Sequence, residues 1–148
     1  MKNLQAIALT GVFVFANGFA VDAAAQAPRK ATGKAQASVE DLQASIRHDP
    51  TNPKLHVALG LAYWDRNDYP HAYAAFQQAV KVGPESAEAH NWLGVAILEK
   101  ADLPNAITQF RKAVALDPKY ARAYTNLGSA LAKSGEVNEA AAAFEKAA

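Results

Sequence analysis

The stretch "VALDPKYARAYTNLGSA", Val114 to Ala130, repeats a pattern already written in "VKVGPESAEAHNWLGVA", Val80 to Ala96, and more faintly in "IRHDPTNPKLHVALGLA", Ile46 to Ala62. Working outward from it, Pro50, Pro84 and Pro118 stand 34 residues apart. The same offset joins Leu59, Leu93 and Leu127, then Gly60, Gly94 and Gly128. It joins Ala72, Ala106 and Ala140, then Phe76, Phe110 and Phe144, then Ala79, Ala113 and Ala147. A fixed period of about 20 to 50 residues marks a stack of like units, each burying its apolar face against the next.

Each copy reads as two helices. Asn52 and Pro53 open the first copy, a capping residue followed by proline at the first helical position. Leu55, Leu59, Ala62 and Tyr63 then fall on one helical face. Asn67-Asp68 breaks that helix, and Pro70 opens the second, as Pro104 does in the next copy. Ala72, Phe76, Ala79 and Val80 repeat the helical spacing, and Gly83-Pro84 ends it, since a residue before proline avoids helical geometry. In the third copy Gly135 suits a left-handed helix end. Gly60, Gly94 and Gly128 sit inside helices, where glycine costs about 1 kcal/mol against alanine. Paying that at one register position in every copy predicts close approach of paired helices. Ala72, Ala106 and Ala140 are the expected small partners, with the phenylalanines filling the space between neighbours.

This 34-residue helix-turn-helix, with Leu-Gly, then Ala, Phe, Ala and a final Pro, resembles the tetratricopeptide repeat. The copies span 53–86, 87–120 and 121–148, the last stopping before its proline. The aromatic usual at the fourth position is His56 and His90 here, and Tyr124 only in the third copy. The resemblance implies an all-α, right-handed superhelical solenoid of antiparallel helix pairs. "SVEDLQASIRHDP", residues 38–50, aligns with the second helix of an earlier repeat, with Leu42 in the phenylalanine position; it is expected to be a lone capping helix shielding the first repeat.

The N-terminus differs in kind. Lys2 precedes the apolar run "AIALTGVFVFANGFA", Ala6 to Ala20, and then "VDAAAQA". Charge, apolar run and Ala-x-Ala together have the layout of a cleaved secretory signal over residues 1–25, cut after Ala25. The expected location is therefore periplasmic or secreted; the alternative is an uncleaved N-terminal anchor in the inner membrane, the only route to a membrane contact apart from weak attraction of the linker. Residues 26–37, "QAPRKATGKAQA", carry Arg29, Lys30 and Lys34 without an acid or an apolar face, as a solvated, disordered basic linker would. The net charge is +1, which makes no case for nucleic acid. The chain has no cysteine, which excludes disulfides, thiolate metal sites and thiol nucleophiles.

No residue pattern carries chemistry. Gly-rich phosphate loops, His-Glu-x-x-His and Gly-x-Ser-x-Gly are all absent. Ser129 follows Gly128 in mid-helix, a poor setting for a nucleophile. His56 and His90 replace packing aromatics and lack ligands at metal spacing; His48 and His71 are expected at the surface. Glu85, Glu88, Asp102, Glu136 and Glu139 lie near helix starts, where they offset the helix dipole. No enzyme activity, cofactor or metal is expected.

The remaining candidate is a surface. In a stack of helix pairs the first helices line the concave side. A second stripe on these helices gives Val57, Leu61 and Trp64 in the first copy. It gives Asn91, Val95 and Leu98 with Trp92 in the second. It gives Thr125, Ser129 and Ala132, with Arg122, Asn126 and Lys133, in the third. This groove grades from apolar to polar, and it is either open to a peptide or covered by the linker or the capping helix. Some family members clamp a carboxylate with Lys, Asn and Arg. Val57, Leu61, Val95, Thr125 and Ser129 stand there instead, so that clamp is not expected. The resemblance implies a scaffold binding an extended peptide or partner protein, of the kind used in envelope assembly, cytochrome maturation or pilus biogenesis. The alternative is an assembly subunit, or an N-terminal fragment of a larger multidomain protein whose catalytic part lies elsewhere. The last helix has no polar cap behind it, which allows weak self-association there.

Overall fold

The computed structural model describes residues 37–148. The leader expected over 1–25 and all but the last residue of the expected linker lie outside the described residues. The described chain forms α1 (Val39–His48), α2 (Pro53–Asp65), α3 (Tyr69–Val82), α4 (Ala87–Leu98), α5 (Leu103–Leu116), α6 (Ala121–Ser134) and α7 (Val137–Ala147), with no strand among these residues. The three expected pairs are α2 with α3, α4 with α5 and α6 with α7; α1 packs on α2 alone.

The helices begin where the sequence supplies caps. Ser38 Oγ accepts from the Asp41 amide at 3.1 Å, and the Asp41 carboxylate accepts from the Ser38 amide at 3.3 Å, a complete capping box. Asn52, Asp68, Ser86 and Asp102 accept from the amides of Lys54, His71, Ala89 and Asn105. Each such cap is worth about 1 kcal/mol. Pro53, Pro70 and Pro104 sit in first turns, where the missing N–H is not needed.

The turn inside each pair also keeps register. Asn67, Ala101 and Gly135 have φ of 59°, 58° and 89°, all left-handed. The next amide closes back on the helix: Asp68 N donates to Tyr63 O, Asp102 N to Ile97 O and Glu136 N to Leu131 O. These are the bonds of a helix end closed by a left-handed residue. The glycine of the third copy reveals this turn in the sequence; Ala101 conceals it.

The reason for the interior glycines differs from the expectation. A Cβ on Gly60, Gly94 or Gly128 would lie within 3 Å of ring carbons of Phe76, Phe110 and Phe144 respectively. The glycine therefore receives the phenylalanine ring of its own pair, and the Phe76 ring also stacks on Trp92 of the next pair. Ala72, Ala106 and Ala140 are buried beside it, as small residues must be at so close a helix contact.

The fourth-position histidines are buried and do more than pack. His56 Nε2 lies 2.9 Å from Pro50 O and His90 Nε2 2.9 Å from Pro84 O. A carbonyl only accepts, so each Nε2 donates, tying the helix to the turn that enters it. His90 Nδ1 also meets the Gln109 side-chain amide at 2.8 Å, joining α4 to α5.

Neighbouring pairs stack unequally on their two sides. The first helices touch directly, α2 with α4 and α4 with α6. Among the described residues no such backbone approach links α3 with α5 or α5 with α7. Between α5 and α7 a long side chain spans the gap, Arg111 reaching Glu139 at 2.7 Å. The array therefore curves with α2, α4 and α6 on its inner side. At its far end Phe144 is 38% exposed, whereas its counterparts Phe76 and Phe110 are 0% exposed.

Candidate peptide-binding face

The inner side carries the twelve residues expected to line a groove, and the structure divides them. Val57, Trp64, Asn91, Trp92, Val95, Asn126 and Ser129 are buried. Leu61, Leu98 and Thr125 are partly exposed, and Arg122 and Lys133 are exposed. The open stripe anchored on two tryptophans is corrected accordingly: Trp64 and Trp92 are 7% and 4% exposed. The physical reason is packing on both sides of the stripe. Trp64 and Trp92 pack around Phe76 of α3, and Asn91 meets Asn126 across the α4–α6 contact.

The indoles belong to one aromatic chain through the first two repeats. Tyr69 meets Trp64 edge-on with ring centroids 5.0 Å apart, and Trp64 lies 6.3 Å from Phe76. Phe76 stacks on Trp92 at 6.0 Å and 15°. The Arg122 guanidinium lies 5.5 Å from the Trp92 ring centroid, covering it from α6. Such contacts add about 0.5 to 1.5 kcal/mol beyond the area they bury.

Polar groups are set into the same face. Asn126 Nδ2 donates to Asn91 Oδ1 at 2.9 Å across the α4–α6 contact, fully inside. Asn91 Nδ2 and Trp92 Nε1 are buried without a protein acceptor. An unmatched buried donor costs about 1 to 3 kcal/mol. Thr125 Oγ1 donates to Ala121 O in its own helix, leaving its lone pairs outward. Tyr120, at the N-cap of α6, has its phenol held above the ordinary 10.0 by burial and by the Glu88 carboxylate, so it stays a neutral hydrogen-bond donor. The accessible residues thus run from Leu61 and Leu98, apolar, to Thr125, Arg122 and Lys133, polar and basic.

One charged pair closes the start of α3. Asp68 caps α3 and faces His71 Nδ1 at 2.8 Å, which holds its carboxyl below the ordinary 3.8. Among the described residues no group of three or more His, Asp or Glu side chains could hold a metal ion, and no helix is long and apolar enough to cross a membrane. The sequence carried no sign of the Asn91–Asn126 bond, since the partners stand at neighbouring rather than equal register positions. The histidine-to-carbonyl bonds had one: Pro50 and His56, and Pro84 and His90, share one spacing.

Comparison with known proteins places this geometry. A family model of the tetratricopeptide repeat matches residues 57–121 and 98–148, more than half of the chain. No curated protein sequence matches. Among solved structures, a crystal structure of MamA is similar with 28% identity and a TM-score of 0.66, over 74% of this chain and 64% of that one. This chain thus spans less than two thirds of MamA. The TPR2B domain of yeast Sti1, solved in complex with pHsp70, is 26% identical with a TM-score of 0.61, over 64% of this chain and 76% of that one. The second TPR domain of Spaghetti (RPAP3), bound to the HSP90 peptide SRMEEVD, shares the fold at 19% identity and a TM-score of 0.63, over 70% and 95% of the two chains. With its period, its paired helices and this match, the chain belongs to the tetratricopeptide repeat family.

Proposed function

We propose that this chain is a non-enzymatic scaffold that holds an extended peptide, or an extended segment of a partner protein, along the inner side of α2, α4 and α6. The observation that carries the reading is the curvature: first helices touch and second helices do not, so three helices present one concave strip. Similarity to an Sti1 domain solved with a bound partner supports it. The strip offers Leu61 and Leu98 to apolar side chains, and Arg122 and Lys133 to an acidic end. It is small, and its contacts match a weak, transient complex. The leader pattern over 1–25 supports action in the cell envelope after cleavage behind Ala25. The exposed Phe144 on α7 supports weak self-association there as a second contact.

The test is a titration of the chain with peptides selected from a random library. Leu98→Glu and Arg122→Glu, on the inner side, should weaken binding. Lys112→Glu, on the exposed outside of α5, should leave it unchanged. Loss with Lys112→Glu and none with the inner pair would refute the reading.

A further inference from the structure

The three repeat boundaries differ at one pair of register positions. The place of Phe76 is held by Leu42 one period earlier and by Phe110 one period later. The place of Trp92 is held by Ala58 earlier and Asn126 later. At the α3–α4 boundary the two rings stack and fill the space between repeats. At the α1–α2 boundary neither ring is present, and a cavity of about 180 Å³ lies there, lined by Ala37, Leu42, Ala58, Leu61 and Ala62. Exposure agrees with this. Trp92, Val95 and Ala96 are buried, while their counterparts Ala58, Leu61 and Ala62 remain partly exposed. Leu61 also belongs to the accessible inner strip, so the cavity adjoins the path assigned to the ligand.

We propose that this cavity is a subsite for one aromatic side chain, phenyl or indole, carried by the bound peptide. The proposal rests on the reading of the inner strip as peptide-binding. The occupant is argued from the chain's own packing. The cavity continues, one period earlier, the interface that the protein completes with the ring of Trp92. The lining side chains are all apolar and none is charged, so a charged side chain would be desolvated without an ionic partner. A flat ring set between helices buries much area for the loss of two side-chain rotors. Trp92 Nε1, unpartnered in the equivalent place, shows that an indole is tolerated there without a hydrogen bond.

The test uses N-acetyl-phenylalaninamide and N-acetyl-tryptophanamide as probes, titrated into the full chain with the Leu42 and Leu61 methyl groups followed by NMR. Both should produce saturable shifts at these two leucines, and N-acetyl-alaninamide should produce none. Ala58→Trp places an indole in cis, as Trp92 does one period on, and should weaken probe binding about tenfold or more. Ala58→Leu, a milder filling, should weaken it less, which keeps the test intact if the tryptophan variant folds poorly. Among library peptides, Ala58→Trp should weaken those with an aromatic residue and spare those without. Equal binding of the probes to wild type and both variants, or shifts away from Leu42 and Leu61, would overturn the subsite while leaving the inner strip to its own test. Probe binding at this site with no peptide on the inner strip would defeat the peptide reading, and with it the assignment of this occupant. Shifts that grow with protein concentration before any probe is added would assign the cavity to a second copy and overturn the proposal.

Discussion

Alanine in place of Gly94 should destabilise the fold, whereas alanine in place of Gly128, at the same register position, should cost far less. Both changes gain about 1 kcal/mol of helix propensity. They differ in what the new methyl meets. At Gly94 it would lie 2.6, 2.8 and 3.0 Å from three ring carbons of Phe110, against an ordinary carbon contact of about 3.5 to 4.0 Å. Phe110 is fully buried, so its ring has no room to retreat. Overpacking of this kind costs about 1 to 3 kcal/mol, and the net change is a loss of up to about 2 kcal/mol. At Gly128 the methyl would lie 2.8 to 2.9 Å from the Phe144 ring. That ring is 38% exposed and can swing outward, so the propensity gain offsets most of the cost. A difference of up to about 2 kcal/mol corresponds to as much as roughly 10 °C in Tm for a domain near this size. Thermal melts of the two variants side by side measure it. Equal melting temperatures, or a stabilised Gly94→Ala, would refute the account of glycine as the seat of the phenylalanine ring.

Ala101→Gly should stabilise the chain by about 1 kcal/mol in urea titration, because Ala101 alone holds the left-handed turn without glycine or asparagine; Asn67→Gly should gain less, and no gain at Ala101 would deny the strain. Trp64→Ala should remove roughly 3 to 5 kcal/mol of stability as a buried aromatic, with partner affinity unchanged well below the melt; an unaltered Tm would return Trp64 to the surface. Amides of α7 from Ala140 to Phe144 should exchange faster than those of Ala106 to Phe110 in α5, since among the described helices α7 packs on α6 alone whereas α5 packs on both α4 and α6; equal protection would show that another copy covers it.

The period, the pairing of helices and the Asn52-Pro53 start of α2 were legible because each rests on residue types that the backbone itself selects. Proline in a first turn, Asn or Asp before it and glycine beneath a ring recur wherever the turn or the contact recurs. The candidate face was less legible for a physical reason. Helix α4 buries every residue from Ala89 to Ile97, so its apolar pattern has no polar side by which to tell the ligand face from the packing face. Periodicity placed Trp64 and Trp92 by the inner stripe and left open whether that stripe is covered; packing of both indoles on Phe76 takes them inside. Ala101 shows the same limit at the backbone. Its left-handed turn is visible only through the register it shares with Asn67 and Gly135. The Asn91–Asn126 bond joins residues off register by one position, which no repeat alignment brings together.

The central claim is that the inner side of α2, α4 and α6 receives the ligand. Amide chemical-shift mapping with a library-selected peptide tests it most directly. The account predicts perturbations concentrated on Leu61, Leu98, Arg122 and Thr125, with α3, α5 and α7 little changed. Perturbations centred on the outer helices α3 and α5 would contradict it.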